Sequence, residues 1–218
     1  MFINYPNNPT GAITDKGFYQ KVIDFAKKNN IIVVSDLAYS EMSYDGYRPP
    51  SFLEIEGARE VAIEFHSLSK TYNMTGWRVG WACGNADLVA ALAKVKSNLD
   101  SGIFSAIQLA GVAALTGPED HVKNMCKLYQ ERRDTLFQGL NSLGWQLNQL
   151  KATFYVWIKI PDKKYNSIQF SSLLLEKADM VVTPGVGFGQ FGEGYIRMAL
   201  TVPKEIILEA IGRLKKIF

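Results

Sequence analysis

Residues 61–84, Val61-Ala62-Ile63-Glu64-Phe65-His66-Ser67-Leu68-Ser69-Lys70-Thr71-Tyr72-Asn73-Met74-Thr75-Gly76-Trp77-Arg78-Val79-Gly80-Trp81-Ala82-Cys83-Gly84, decide how this chain is read. Val61 to His66 reads as one strand and Val79 to Cys83 as another, closed by Gly84. Between them runs a polar stretch that holds one amine, Lys70, and one guanidinium, Arg78. Toward the N-terminus, Ile31-Ile32-Val33-Val34 is a short continuous apolar run, as expected of a strand covered on both faces of a parallel sheet. Before it, Thr14 or Asp15 can cap a helix whose apolar residues Phe18, Val22, Phe25 and Ala26 follow helical spacing; Asn29-Asn30 ends it. On the other side, Asn85 caps a helix marked by Leu88, Leu92, Val95 and Leu99. This alternation predicts an α/β architecture, a mostly parallel sheet covered by helices.

The second half has a different rhythm. After Pro118, Val122, Met125, Tyr129, Leu136 and Leu140 run down one side of a long helix, and Gly144 makes its C-terminal stop. Phe154 to Ile160 reads as a strand, Ile168 to Lys177 as a helix and Tyr195 to Leu200 as a strand. Pro203 opens a last amphipathic helix through Ile206, Ala210 and Leu214. The expected organisation is a large α/β domain over 1–118 and a small α+β domain over 119–218. The opening Phe2-Ile3-Asn4-Tyr5-Pro6 reads as the tail of a buried strand entering a loop, so further material is expected to precede Met1 in the parent protein.

Composition narrows the function. The chain has 218 residues, is 47% hydrophobic and carries a formal net charge of +3, spread along it rather than clustered, so nucleic acid is not an expected partner. Lys215 and Lys216, the densest basic stretch, sit where cations oppose a helix dipole. Two cysteines and two histidines, in unrelated segments, match no zinc-ligand spacing. No apolar run approaches the roughly 18 residues of a membrane span, and a reduced cytoplasmic setting is the default.

The chemistry gathers at strand ends. Ligands of open α/β sheets collect outside the carboxyl ends of the strands. Asn8 follows the first strand, Asp36 the second and Lys70 the third. Alone, Lys70 is an ordinary exposed lysine and Asp36 a cap or loop residue. An amine that must attack a carbonyl, however, needs partial desolvation and a neighbouring cation to lower its pKa. Arg78 can supply that charge and also bind a phosphate, helped by the hydroxyls of Ser67 and Ser69. Asp36 can pair with a protonated pyridine nitrogen, and Asn8 and Tyr39 can donate to a phenolic oxygen on the same ring.

Five motifs in order, Asn7-Asn8-Pro9-Thr10-Gly11, Ser35-Asp36-Leu37-Ala38-Tyr39, Ser67-Leu68-Ser69-Lys70, Arg78 and Tyr195-Ile196-Arg197, resemble the class I/II pyridoxal-phosphate-dependent aminotransferases of fold type I. The wording around Lys70, with Asp100-Ser101-Gly102, is most similar to LL-diaminopimelate aminotransferase-like members. The resemblance covers essentially the whole chain and implies a C-terminal portion of such an enzyme: part of the fold type I large domain, then a small α+β domain. It implies pyridoxal 5'-phosphate as cofactor, amino acid and 2-oxo acid substrates, and a homodimer.

It also implies a role for each matching position. Lys70 would bear the cofactor and move the proton, Asp36 would hold the pyridinium, and Asn8 and Tyr39 would contact the phenolic oxygen. Ser67, Ser69 and Arg78 would serve the phosphate. Arg197 would grip the substrate α-carboxylate in a guanidinium fork, with Asn8 beside it. Without the resemblance, Arg197 is as well read as a surface arginine at a strand end. Family members carry a phosphate-cradling loop and a ring-stacking aromatic upstream of the asparagine motif, with no counterpart here. The isolated chain is therefore expected to be a poor catalyst or none. Two alternatives stand beside transamination: a catalytically inactive fragment, and another pyridoxal-phosphate chemistry of the β-lyase or cyclopropane-carboxylate synthase type.

Other features read as structural. Gly185-Val186-Gly187-Phe188-Gly189 lacks the strand-then-helix setting of a nucleotide loop. His66 is expected to be packed, His121 to lie on the surface, Trp77, Trp81 and Trp157 to be core, and Cys83 to be inert packing.

Overall fold

In the computed structural model, which describes residues 1–218, Asp15 opens the first helix, α1 (Lys16–Asn29), by accepting the amide of Phe18 at 2.7 Å. Asn30 closes it in the left-handed conformation (φ 53°), and its N–H returns to the carbonyls of Ala26 and Lys27. The helix buries Tyr19, Val22, Ile23 and Ala26, which share a core with Val33, Phe52, Ala58 and Ala62. Burying a side chain of Ile23's size is worth roughly 1.5–3 kcal/mol.

The first sheet follows the order β1 (Phe2–Asn4), β2 (Val33–Asp36), β3 (Ala62–Ser67), β4 (Gly80–Gly84). β1, β2 and β3 are parallel, with Asn4 opposite Asp36 and Asp36 opposite Phe65. β4 runs antiparallel to β3, pairing Ser67 with Gly80 and Ile63 with Gly84. Close approach requires both glycines: a Cβ on Gly80 would stand 2.5 Å from the His66 carbonyl, and one on Gly84 2.5 Å from that of Ala62. Two one-turn helices, α2 (Ala58–Val61) and α3 (Leu68–Thr71), lead into and out of β3. Helices α4 (Ala86–Leu99) and α5 (Ser105–Thr116) follow β4.

The second sheet has the order β5 (Tyr155–Lys159), β7 (Tyr195–Ala199), β6 (Thr183–Pro184), all antiparallel. β5 and β7 alternate strictly. Val156, Ile158, Ile196 and Met198 are buried, while Tyr155, Trp157, Tyr195 and Arg197 share the other, half-buried face. With it belong α6 (Asp120–Ser142), α7 (Ser167–Ala178) and α8 (Lys204–Leu214). Asn166 and Gln169 form a reciprocal capping box at the start of α7. The chain divides into two compact units, Met1–Asn7 with Ala12–Asn124, and Asn8–Gly11 with Met125–Phe218. No helix is long and apolar enough to cross a membrane.

Several expectations need correction. The second strand begins at Val33, not Ile31, because the Ile31 amide still bonds back to Ala26 in the helix exit, leaving Ile32 exposed; the strand then runs on through Asp36. The buried stripe of α1 includes Tyr19 and Ile23, whereas Phe18 and Phe25 are exposed. Trp77 and Trp81 are 46% and 40% exposed rather than core. Trp81 lies on edge strand β4 and stacks flat on His66 at 5.1 Å, while Trp77 sits in an exposed 3-10 turn. Helix α5 had no sequence signal, since its cap position is Phe104, which offers no side-chain acceptor.

Candidate functional site

Parallel pairing brings the carboxyl ends of β1, β2 and β3 to one edge of the first sheet. There the Asn4 amide donates to the Asp36 carbonyl at 2.9 Å, tying the two ends together. Asp36, the last residue of β2, is exposed, and its carboxylate accepts the Ala38 amide at 3.2 Å. Tyr39 lies three residues on, 4% exposed.

Lys70 stands on α3. That turn forms because the Ser67 hydroxyl, at the end of β3, accepts the Ser69 amide at 3.1 Å. Ser69 is buried, its carbonyl taken by the Thr75 hydroxyl at 3.0 Å. Lys70 is half-buried, with its ammonium 5.9 Å from the centre of the Tyr39 ring. Burial lowers its pKa, the Arg78 guanidinium lowers it further, and Asp36 partly opposes both. Arg78 takes the left-handed conformation (φ 56°) after the 3-10 turn Thr75–Trp77, and its guanidinium donates to the Thr75 carbonyl at 2.7 Å.

Behind these ends lies a group the sequence reading did not single out. Glu64 on β3 is fully buried, yet no lysine or arginine pairs with it. Its carboxylate accepts the hydroxyls of Ser51 (2.6 Å) and Ser35 (3.0 Å) and the Phe52 amide (2.8 Å), and sits 3.1 Å from His66 Nε2. Burial alone pushes the Glu64 carboxyl up, but the bonds from His66, Ser51 and Phe52 outweigh it and hold it below the usual range. It thereby fixes Ser35, one residue before Asp36, against β3. A charged residue inside the Val61–His66 strand was the available signal. A nearby cavity of about 640 Å³ is lined by His66, Ser67, Thr71, Tyr72 and Trp81, but by none of Asp36, Lys70 and Arg78.

In the second unit, Arg197 on β7 donates to the side-chain oxygen of Asn8 at 2.8 Å and lies 3.5 Å from the Thr183 hydroxyl. Its guanidinium carbon is 3.9 Å from the centre of the Tyr155 ring and 4.7 Å from that of Phe188. The glycine-rich segment that delivers Phe188 is a 3-10 turn, Gly185–Phe188, followed by a second 3-10 turn, Gln190–Gly192, and then by a strand rather than an α-helix. Gly185 and Gly192 pack so closely there that a Cβ on either would stand 2.0 Å from the other's carbonyl oxygen. This is backbone packing, not a nucleotide loop.

A family profile described as aminotransferase class I and II matches residues 1–214. The chain belongs to that family. It is 58% identical over 217 residues to an LL-diaminopimelate aminotransferase of Moorella thermoacetica, covering 100% of this chain and 55% of that protein. The relative of the same description from Halothermothrix orenii is 58% identical over 215 residues, again 55% of its length. Among solved structures, substrate-bound BacF from Bacillus subtilis superposes with a TM-score of 0.95 at 42% identity, over 100% of this chain and 55% of BacF. An aromatic aminotransferase from Pyrococcus horikoshii gives 0.94 at 33% identity, over 99% of this chain and 58% of its own. The chain thus spans about half the length of the curated relatives it matches, and its fold is part of fold type I.

Members of this family use pyridoxal 5'-phosphate. The donor set of the first unit fits that group. An amine of lowered proton affinity would suit an aldehyde carbon, an exposed strand-end carboxylate a pyridine nitrogen, and a serine hydroxyl and a guanidinium a phosphate.

Proposed function

We propose that this chain is the cofactor-anchoring part of an aminotransferase that moves an amino group between an amino acid and a 2-oxo acid. The observation that carries the reading is Lys70: a half-buried amine in the turn of helix just past the end of β3, its proton affinity lowered by burial and by Arg78 and partly restored by Asp36. LL-diaminopimelate is the favoured amino acid, given the description shared by relatives 58% identical to the chain. A homodimer in a cytoplasmic setting is the arrangement that family membership suggests.

When bound, pyridoxal 5'-phosphate supplies an aldehyde carbon for the amine and a ring that draws electrons from the substrate Cα. The protein's part is to bind, orient and move protons. Lys70 would hold the group through its Nζ, for which the free base is needed, and the same amine could take a proton from Cα and return it. The Asp36 carboxylate would keep the proton on the pyridine nitrogen. The Tyr39 hydroxyl and the Asn8 amide are each suited to donate to the phenolic oxygen. Ser67 could donate its hydroxyl hydrogen to phosphate while its lone pair accepts the Ser69 amide, and Arg78 keeps N–H groups beyond the one given to Thr75 that could do the same. Arg197 grips the substrate α-carboxylate.

The test is direct. Purified chain incubated with pyridoxal 5'-phosphate should gain a visible absorbance band; borohydride reduction should fix the cofactor at Lys70, located by peptide mass. Lys70→Ala should lose both signals. Equal spectra for wild type and Lys70→Ala would refute the role of Lys70. Transfer from LL-diaminopimelate to 2-oxoglutarate, read as glutamate formed, tests the substrate separately.

A further inference from the structure

Arg197 is a half-buried cation with no carboxylate partner: its polar contacts are the Asn8 side-chain oxygen and the Thr183 hydroxyl, the latter at 3.5 Å. One good hydrogen bond and one long one leave a guanidinium free to swing about its last torsions. Two rings restrict it. Tyr155 pairs across the sheet with Ala199, so it is the diagonal neighbour of Arg197 on the same face, and its ring centre lies 3.9 Å from the guanidinium carbon. Phe188 comes from the Gly185–Phe188 turn to 4.7 Å. Each ring is braced in turn. Phe188 meets Trp157 edge-on at 5.7 Å, Trp157 stacks on Tyr195 at 5.4 Å, and Tyr155 packs on Phe154 at 4.7 Å.

We propose that Tyr155 and Phe188 are positioning residues that hold the Arg197 guanidinium in one orientation, so that its unused N–H groups form a fixed fork for an incoming carboxylate. The inference rests on the reading of Arg197 as the carboxylate-binding group and deepens it. Aromatic faces suit this task better than acids do. They attract the cation through the ring quadrupole and restrain its plane, yet they consume no N–H donor and leave the positive charge unpaired for the ligand. A carboxylate partner would instead compete with the substrate for the same fork.

The experiment uses the 218-residue chain with ¹⁵N-labelled arginine, titrated with 2-oxoglutarate and read at the Arg197 Nε–Hε resonance. In the wild type that resonance should be displaced upfield by the ring currents. Phe188→Leu and Tyr155→Leu should each remove part of the displacement and weaken 2-oxoglutarate about five-fold. Phe188→Tyr and Tyr155→Phe, which keep the rings, should restore both. Phe188 is 40% exposed, so its leucine variant should fold even if Tyr155→Leu does not. Unchanged resonance and affinity in Phe188→Leu would overturn the proposal, as would loss of the ring-current shift with affinity unchanged. No titration of Arg197 in the wild type would overturn it too, but by a distinguishable route, because the carboxylate role of Arg197 would then have failed first.

Discussion

The two sheets treat their key cations in opposite ways. On the first, Lys70 is half-buried near another cation, and the environment works to remove its proton. On the second, Arg197 lies against two aromatic rings with no acid among its polar contacts. The chemistry proposed for each explains the contrast. A nucleophile must be able to become neutral, whereas a carboxylate clamp must never do so, and lysine and arginine divide along that line. The same sheet that lowers the proton affinity of Lys70 also favours the ionised form of Glu64 without a lysine or arginine beside it, by surrounding the carboxylate with hydrogen-bond donors.

Exchanging the two cations breaks the comparison most severely. Lys70→Arg should abolish the cofactor-dependent visible band altogether, because a guanidinium keeps its proton in proteins and supplies no free base. A surviving band would mean that another lysine carries the cofactor.

Glu64→Gln comes next. It leaves the Phe52 amide without an acceptor or weakens the His66 contact, and should lower the unfolding free energy by about 2 kcal/mol in a urea titration. The pH dependence has a definite sign. The folded carboxyl is held below its ordinary value, so its stabilisation is present above the unfolded pKa of about 4.3 and is lost as pH falls through the lower folded value. Acidification should therefore move the wild-type urea midpoint more than that of Glu64→Gln. Parallel acid profiles would show that the Glu64 carboxylate contributes nothing specific.

A smaller effect is expected from Arg197→Lys, which keeps the charge but loses the planar fork. Affinity for 2-oxoglutarate, by the same titration with an amide reporter, should weaken about ten-fold. Equal affinity would reduce the second sheet's role to point charge alone.

Lys70→Met should produce the smallest change. Because the folded pKa of Lys70 is lowered, the folded protein resists the charged form; that penalty is fully present below the folded pKa and disappears above the unfolded value, about 10.4. Near neutral pH the methionine variant should thus melt at or slightly above the wild-type temperature, with the difference closing in alkali. A variant less stable than wild type at neutral pH would mean that Lys70 is structurally supported rather than suppressed.

Much of this was legible in the chain. Asp15, Asn30, Asn85 and Asn166 cap or close helices through bonds spanning a few residues, so short windows of sequence carry them. That Asp36 and Lys70 follow apolar strand runs was legible for the same reason, although the second strand runs on through Asp36, and Lys70 stands on α3. What escaped was coverage. Helices α1 and α4 each have 14 residues and an apolar stripe, but α1 buries four residues and α4 none, with Leu92, Val95 and Leu99 all exposed. A stripe states that a face is apolar, not that something lies on it. Glu64 escaped because a lone acid in a strand gives no hint that donors from Ser35, Ser51 and Phe52 will meet it.

The sequence by itself determined the element types, most of their caps and the order of the chemistry-bearing motifs, because periodicity and side chain-to-backbone bonds act over a few residues. Tertiary structure alone decided that β4 runs against β3, that Trp81 is an exposed partner of His66, and that Tyr155 lands diagonally beside Arg197. Direction and register depend on partners distant in the chain, and a shift of one residue would turn Tyr155 to the opposite face of its sheet.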